Sequence, residues 1–371
     1  MKACVTGATG FLGGHVARLL AERGDEVRVS YRDPERLERL AGLEVKPVKA
    51  DILDRAGMRR ALRGAELAFH TAGFVGSRPA DRVWQINALS PRVVVEAAAA
   101  EGVRRVVVTS SVAALGPAPE GEIGDESQLY RGGGLGLTYA NAKHEGEREA
   151  FLAGARLGVE VVVTNPSYVF GVPVDRSQPG ETSTRIVANY LRGRLPAVVD
   201  GEINAVDVED VAAGHLLAAE RGAPSERYML GAHNVSWVEL IDRVAKLSGV
   251  RQPVLVLPPE LALVARIREG LGLPGPIAAE GYVLMGQNWR YSSRKAEREL
   301  GFKARPLDAT LAATIEWYRE IMASGAFAEE GRSPLSLAAN GVRLARRLGG
   351  GAALRAAERP VGRRLVAGLG G

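Results

Sequence analysis

The segment Thr6-Gly7-Ala8-Thr9-Gly10-Phe11-Leu12-Gly13 constrains this chain more than any other. It joins a short apolar run, 3–6, to a helical stretch, 11–23, that Gly24 stops. Glycines at a strand-to-helix junction serve a dinucleotide. Gly7 permits the tight turn, Gly10 lets backbone amides approach a pyrophosphate, and Gly13 allows close packing of helix on strand. With 45 glycines in 371 residues the spacing says little by itself. Its place at the head of an alternating pattern carries the inference.

That pattern sets β-rich runs at 3–6, 26–31, 45–49, 67–70, 105–110 and 160–164 against intervening helical runs such as 91–101, stopped by Gly102. The expected fold class is α/β, a Rossmann-type doubly wound parallel sheet. Valine runs near 107 and 162 are unbroken, as in strands buried on both faces. After Pro166 the regularity weakens. A loop is expected over 172–179, helices over 184–192 and 208–220, then a region of helices and loops over 238–324 broken by Pro258-Pro259 and Pro274-Gly275-Pro276. The expected domains are a dinucleotide-binding domain over 1–171 with a returning segment at 205–230, a smaller, irregular C-terminal substrate lobe over 172–204 and 231–330, and a basic Arg/Gly/Ala-rich tail over 331–371.

A hydrophobic content of 46% with 25% charged residues is that of an ordinary globular protein. No apolar run approaches the ~18 residues of a membrane span, and the opening residues carry no signal-peptide pattern, so a cytoplasmic location is expected. The single cysteine, Cys4, lies in an apolar strand and reads as a buried, inert thiol. The five histidines form no metal-binding pattern, and no metal is expected. The net charge of +5 hides a split. From Gly331 onward eight arginines face one acid, Glu358, a net of +7, which leaves about −2 on the other 330 residues. The main body has no charge excess for nucleic acid.

Three places carry chemistry. The second strand ends Tyr31-Arg32, where an NAD enzyme usually places an acid for the ribose hydroxyls and where an arginine suits a 2′-phosphate. NADP(H) is therefore the preferred cofactor, with NAD(H) the alternative; Arg32 otherwise reads as a solvated strand end offset by Asp33. Asp51-Ile52 follows the third strand, where an adenine edge needs an acceptor, and Ala72-Gly73 follows the fourth, where the adenosine side approaches backbone. The fifth strand ends Thr109-Ser110-Ser111, presenting a hydroxyl to a substrate oxygen at the carboxyl edge of the sheet. Tyr139 and Lys143 share a helix face, so the cation is expected to lower the phenol pKa and make it an acid or base near neutrality. With 9 Tyr and 7 Lys in the chain, chance supplies such a pair roughly one time in six. Behind a glycine loop and a strand-end serine, chance rarely supplies the set.

The chain resembles the extended short-chain dehydrogenase/reductase superfamily, also called the NAD-dependent epimerase/dehydratase family, from Thr6 to about residue 320. The resemblance rests on TGATGFLG, TSSVAALG at 109–116, YANAK at 139–143, NPSYVFG at 165–171 and AVDVEDVAAGHLLA at 205–218. It is nearest the dihydroflavonol-4-reductase-like branch, and GRLPAVVDGEINAVDVEDVAAGH and ERYMLGAHNVSWVELI resemble hopanoid-associated sugar epimerases. The likeness implies cofactor contacts from Gly7, Thr9, Gly10, Phe11, Leu12 and Gly13. It makes Tyr139 the general acid/base, Lys143 the grip on the nicotinamide ribose, and Ser111, with Ser110 as its neighbouring alternative, the group orienting the substrate oxygen. Asn87 matches an Asn near the cofactor, or else is a helix-stabilising polar residue; Pro166 and Ser167 match the segment beside the nicotinamide. His144 points about 100° away from Lys143 and reads as structural.

Dehydratases of the superfamily carry an Asp-Glu pair after the active-site hydroxyl. This chain has Val112-Ala113, which removes the elimination chemistry. The expected activity is NADP(H)-dependent reduction of a carbonyl. The alternatives are a sugar or nucleotide-sugar epimerase with tightly held NAD, to which Arg185, Arg192 and Arg194 offer diphosphate contacts, and a cofactor-binding regulator without catalysis. The partner expected is a small carbonyl or sugar substrate, and a homodimer is compatible with it. Glycines 132–134 and 136, beside Tyr139, read as a mobile loop. In the tail, Ser333-Pro334 starts an expected helix with Leu337, Leu344 and Leu348 on one side and Arg343, Arg346 and Arg347 on the other. Such a helix suits an anionic membrane surface, a docking site on its own domain or a partner, or disorder.

Overall fold

The computed structural model describes residues 1–177, 183–273, 279–325, 327, 358 and 363–368. The chain divides into two compact units. The first comprises Met1–Arg176, Ala205–Ala232 and Tyr291–Arg305, the second Ser177–Asn204, His233–Arg290 and Pro306–Gly371.

The first unit is built on strands β1 (Lys2–Thr6), β2 (Glu26–Tyr31), β3 (Val45–Lys49), β4 (Leu67–His70), β5 (Arg105–Thr109), β6 (Glu160–Pro166) and β7 (Arg227–Leu230). They form one parallel sheet in the order β7-β6-β5-β4-β1-β2-β3. The order reverses between β1 and β4, the crevice where such sheets bind ligands at their carboxyl ends. Alternate residues feed opposite faces. Val5, Val107 and Val162 enter a core with α1 (Phe11–Glu22) and, later in the chain, Val211 and Leu300. Cys4, Val106, Val108, Val161 and Val163 enter the other core with Met58 and Leu62 of α2 (Arg55–Leu62), Val94 of α3 (Ser90–Ala100) and Ala150 of α4 (Thr138–Leu157). Burial on both sides is why these strands read as unbroken valine. It also pushes the Cys4 thiol up to about 12, leaving it inert at neutral pH. On the first face α5 (Val208–Arg221) follows Asp207, whose carboxylate accepts from Glu209 N at 2.8 Å and caps it.

One boundary and one strand differ from the sequence expectation. Residues 291–305, expected in the lobe, return to the first unit, because Ala296, Leu300 and Phe302 complete its core and Arg305 meets Asp210 at 3.0 Å. The seventh strand, β7, pairs with β6 at the sheet edge; at four residues, it left no period to read.

The second unit holds a small sheet in which Val254–Leu257 pairs parallel with Ala197–Val199 and antiparallel with Val366–Ala367. Helix α6 (Trp237–Ser248) starts on a Ser236 cap, and α7 (Leu261–Gly270) and α8 (Leu307–Ala323) follow. The hydroxyl of Tyr190 lies 2.8 Å from the carbonyls of Val250 and Gly368. The end of the basic segment thus belongs to the second unit: Arg364 pairs with Asp242 at 3.1 Å. The expected helix of Ser333, Pro334, Leu337, Arg343, Leu344, Arg346, Arg347 and Leu348 lies outside the described residues. No helix among the described residues is long and apolar enough to cross a membrane.

Candidate active site

The turn after β1 is shaped by absent side chains. Gly7 adopts φ +76°, and a Cβ there would stand 2.5 Å from the amide nitrogen of Ala72. At Gly13 a Cβ would stand 2.3 Å from the carbonyl oxygen of Gly7. Gly10 is the N-cap of α1 and offers no side chain, so the positive end of the helix is presented by backbone amides. Thr9, Phe11 and Leu12 border it, partly exposed. A cradle that a Cβ would fill, opening on a helix N-terminus, fits the pyrophosphate of a dinucleotide.

Along the sheet edge, Arg32, Lys49, Ala50, Asp51, Asp54 and Arg60 line a cleft of about 380 Å³. Tyr31 precedes it, its carbonyl accepting from Ala50 N at 2.9 Å, and Ile52 is half-buried beside it. Asp33 accepts from Glu35 N at 3.1 Å and lies 3.7 Å from Arg36, so its carboxylate serves the following turn. One oxygen of Asp51 accepts from Leu53 N at 2.9 Å and fixes the turn after β3. Asp54 accepts from Ala56 N at 3.0 Å, so the cleft gathers three cations around two acids, Asp51 and Asp54, that each cap local structure.

The residues expected to carry the chemistry lie at the other end of the edge. Ser111 caps a short 3₁₀ turn, Val112–Ala114, with its Oγ 3.2 Å from Ala113 N, and its hydroxyl is near enough to the Tyr139 phenol to favour the ionised form. Ser110 is buried and lines a cavity of about 10 Å³ with Lys143 and Glu147. The geometry thus sets Ser111, not Ser110, against the phenol. Tyr139 and Lys143 stand on α4 as the spacing requires, with Lys143 Nζ 6.0 Å from the ring centroid of Tyr139 and donating to Thr109 O at 3.0 Å.

The expected lowering of the phenol pKa is not found. Burial pushes Tyr139 up to about 12, only partly opposed by the nearby Ser111 hydroxyl. Burial also brings Lys143 down to about 8 against the pull of Glu147. Desolvation outweighs the cation at this distance, so the phenol is a protonated donor at neutral pH.

Several residues that the sequence reading passed over build this end. Glu147, one turn beyond Lys143, is buried, accepts from Asn165 Nδ2 at 2.5 Å and pairs with Arg227 of β7 at 3.2 Å. Asn165 also donates to the Ser111 carbonyl at 3.0 Å, tying the serine to the lysine helix. The Lys143-x-x-x-Glu147 spacing was a signal for Glu147; Arg227, 80 positions away, left none. Tyr168 in the short strand Tyr168–Phe170 lies close enough to Tyr139 that the two phenols raise the cost of ionising Tyr168, after burial. His70 sits between Thr6 Oγ1 at 2.8 Å and Ser90 Oγ at 2.9 Å, and burial brings it down to about 3.

Asn87 clasps the loop after β4 by both amide atoms, accepting from Phe74 N at 3.1 Å and donating to Phe74 O at 2.8 Å. Ala72 makes the close approach to Gly7, and Gly73, expected beside the adenosine, has its Cβ position 3.3 Å from Lys143 Nζ and 3.5 Å from Asn87 Oδ1. Pro166 ends β6, and Ser167 N reaches Leu230 O at 3.4 Å. His144 stacks on Tyr130 with centroids 3.9 Å apart and has Nδ1 2.9 Å from Ala114 O, a structural role. Tyr130 also bonds Asn141, and Gln128 reaches three carbonyls between Leu115 and Pro117, so the loop expected to be mobile is tethered on both sides of the turn. In the second unit Arg185 opens a short helix, Arg194 N bonds Asn189 O at 2.7 Å, and Arg192 lies 4.4 Å above the ring of Phe327, an aromatic partner for its charge. Among the described residues no group of acids, histidines and cysteine is placed to hold a metal.

The sequence profile of the NAD dependent epimerase/dehydratase family matches residues 3–231. A Synechocystis protein named as a dihydroflavonol 4-reductase is 32% identical over 326 residues, covering 85% of this chain and 94% of its own. Sterol demethylase protein B of Methylococcus capsulatus is 33% identical over 329 residues, covering 86% and 99%. Among solved structures, a nucleoside-diphosphate-sugar epimerase from Pseudomonas aeruginosa superposes with a TM-score of 0.72 at 30% identity, covering 88% of this chain and 99% of that one.

Proposed function

The chain belongs to the NAD-dependent epimerase/dehydratase family, and from that premise we propose that it is an NADP(H)-dependent reductase converting a carbonyl to an alcohol. Oxidoreductase chemistry of the extended short-chain dehydrogenase/reductase type, with an NAD(P) cofactor and a small-molecule substrate, comes with the family. The observation that carries the finer reading is the protonated Tyr139 phenol against Ser111, since reduction needs a proton delivered to the substrate oxygen. The cationic cleft of Arg32, Lys49 and Arg60 supports a 2′-phosphate on the cofactor.

Gly7, Gly10 and Gly13 with the first turn of α1 would hold the pyrophosphate, and Lys143, Pro166 and Ser167 would border the nicotinamide end. When bound, the reduced nicotinamide supplies the hydride. Ser111 orients the substrate oxygen by a hydrogen bond, and Tyr139 donates its proton there as negative charge develops. Lys143, charged below about pH 8, stabilises the phenolate left behind. Tyr139 regains its proton from solvent. The hydrophobic pair Val112-Ala113 offers no carboxylate to withdraw a proton from carbon, so elimination has no base there.

The likeness to the Pseudomonas epimerase favours a second reading, sugar epimerisation through a keto intermediate with retained NAD. The name of the Methylococcus relative favours a lipid-borne substrate for the reductase, and the net +7 of residues 331–371 suits an anionic lipid surface. Mass spectrometry of the natively purified protein, followed by NADPH-consumption assays on a panel of carbonyl compounds, tests the proposal. Stoichiometric bound NAD with redox-silent sugar interconversion would replace the reductase by the epimerase.

A further inference from the structure

The helix that runs into α3 carries a single π turn, Gln85–Leu89, in which the amide of Ser90 reaches back five residues to the carbonyl of Gln85. Pro91 favours the departure from a regular turn. It has no N–H for the carbonyl of Asn87, four residues back, and its ring would press on that carbonyl. The widened turn deprives the Ile86 carbonyl of the Ser90 amide that a regular helix would give it. Ser90 replaces that bond with its side chain, Oγ donating to Ile86 O at 2.5 Å.

With its own proton committed to Ile86, the Ser90 hydroxyl accepts from His70 Nε2 at 2.9 Å, and His70 Nδ1 accepts from Thr6 Oγ1 at 2.8 Å. Burial keeps the imidazole neutral, so it donates through one nitrogen only. Three hydrogen bonds thus run from Thr6, which precedes the glycine turn, to the π turn, and every residue they join is buried. What the π turn carries is Asn87. Its amide clasps Phe74 N and O, and its Oδ1 and Lys143 Nζ both lie within 3.5 Å of the point where a Cβ on Gly73 would stand. Its carbonyl lies so near α4 that a Cβ on Gly146, one turn beyond Lys143, would collide with it. Phe74 packs with Tyr139 against Val83, Ala88 and Ala142.

We propose that His70 and Ser90 are positioning residues, which hold the π turn in the form that lets Asn87 keep the Gly73-Phe74 loop against Lys143 and Tyr139. The inference rests on the reading of Tyr139 as acid and Lys143 as cofactor grip. Neither His70 nor Ser90 touches the reacting atoms; they act through Asn87.

Ser90→Ala removes the hydroxyl that Ile86 O and His70 Nε2 share, and Ser90→Thr keeps it. Amide hydrogen exchange over residues 71–76 of the full chain reads the clasp without any substrate. Exchange should rise about tenfold in Ser90→Ala and stay native in Ser90→Thr. The ionisable neighbours of Lys143 are Tyr139, Glu147 and His70, with Arg227 beyond Glu147. Loosening the loop admits water to the ammonium and leaves those groups in place, so its pKa should rise from about 8. The alkaline limb of NADPH-dependent turnover should then move to higher pH, with turnover at neutral pH about tenfold lower and the NADPH KM within about twofold of native. A loss of fold alone would lower turnover and leave the limb in place. Unchanged exchange in Ser90→Ala overturns the proposal, as does raised exchange beside native turnover and an unmoved limb. Raised exchange in a protein that reduces no carbonyl supports it and overturns only the reductase reading. Thr6→Val, close to threonine in shape, releases His70 alone; it should give the same changes at about a third of the size, and it carries the test if Ser90→Ala does not fold.

Discussion

The two ends of the cofactor edge in the first unit are built on opposite electrostatic terms. At Arg32, Lys49 and Arg60 the cations line an open cleft with Asp51 and Asp54, where water screens each charge from the others. At Tyr139, Lys143 and Glu147 burial dominates, and protonation depends on what each group is packed against. On the proposed function, single substitutions at the open end should shift cofactor preference and little else. At the buried end the protonation of one group depends on its neighbour, as that of Lys143 does on Glu147.

The sharpest break is expected at the phenol. Tyr139→Phe keeps the ring and loses the proton, so turnover should fall by about 10³-fold or more with NADPH affinity near native. Steady-state rates with fluorescence titration of NADPH read both; near-native turnover would remove Tyr139 from its role. Acid should likewise strike the buried end first. His70 and His215 are brought down by burial to about 3 and about 4, and burial lowers His15 too. The unfolded chain protonates them near pH ~6.5, so stability holds above that pH and falls as pH drops toward the folded values. Urea midpoints should show a loss on the order of 3 kcal/mol by pH 5. A flat profile over that range would show that these rings are not neutral in the fold.

Glu147→Gln keeps an acceptor for Asn165 and deletes the charge that holds Lys143 protonated. We expect turnover to drop about 30-fold and its alkaline limb to move to lower pH, because the folded pKa of Lys143 loses its only raising influence. An unmoved limb with reduced turnover would reduce Glu147 to a packing role. At the open end, Arg32→Asp should lower the NADPH-over-NADH affinity ratio about tenfold. Arg60→Gln, whose guanidinium already lies 3.9 Å from Asp54, should lower it only about threefold. Equal effects at both positions would erase the contrast between the two ends.

What could be read from the chain was what is local. The glycine loop, six strands of the parallel sheet and the Tyr139, Lys143 pair follow from residues within a few positions of one another, and Ser111 from its place at a strand end. Burial is collective, and so the ionisation of Tyr139 came out reversed: the spacing showed the cation and not the apolar packing around it. Arg227, Asn165 and the return of residues 291–305 depend on contacts that only the closed sheet creates. Gly73 shows the same in miniature. It follows the fourth strand, yet its neighbour Lys143 is decided by how α4 lies on the sheet.

The pairing of Val366–Ala367 with Val254 and Leu255 has a consequence for the order of synthesis. The partners lie about 110 residues apart, so closing that sheet carries a long loop-closure cost and cannot occur until residue 367 has left the ribosome. The first unit has all its parts once residue 305 is made. At translation speeds of roughly 5–20 residues per second, the dinucleotide cradle has several seconds to form before the second unit can finish its sheet.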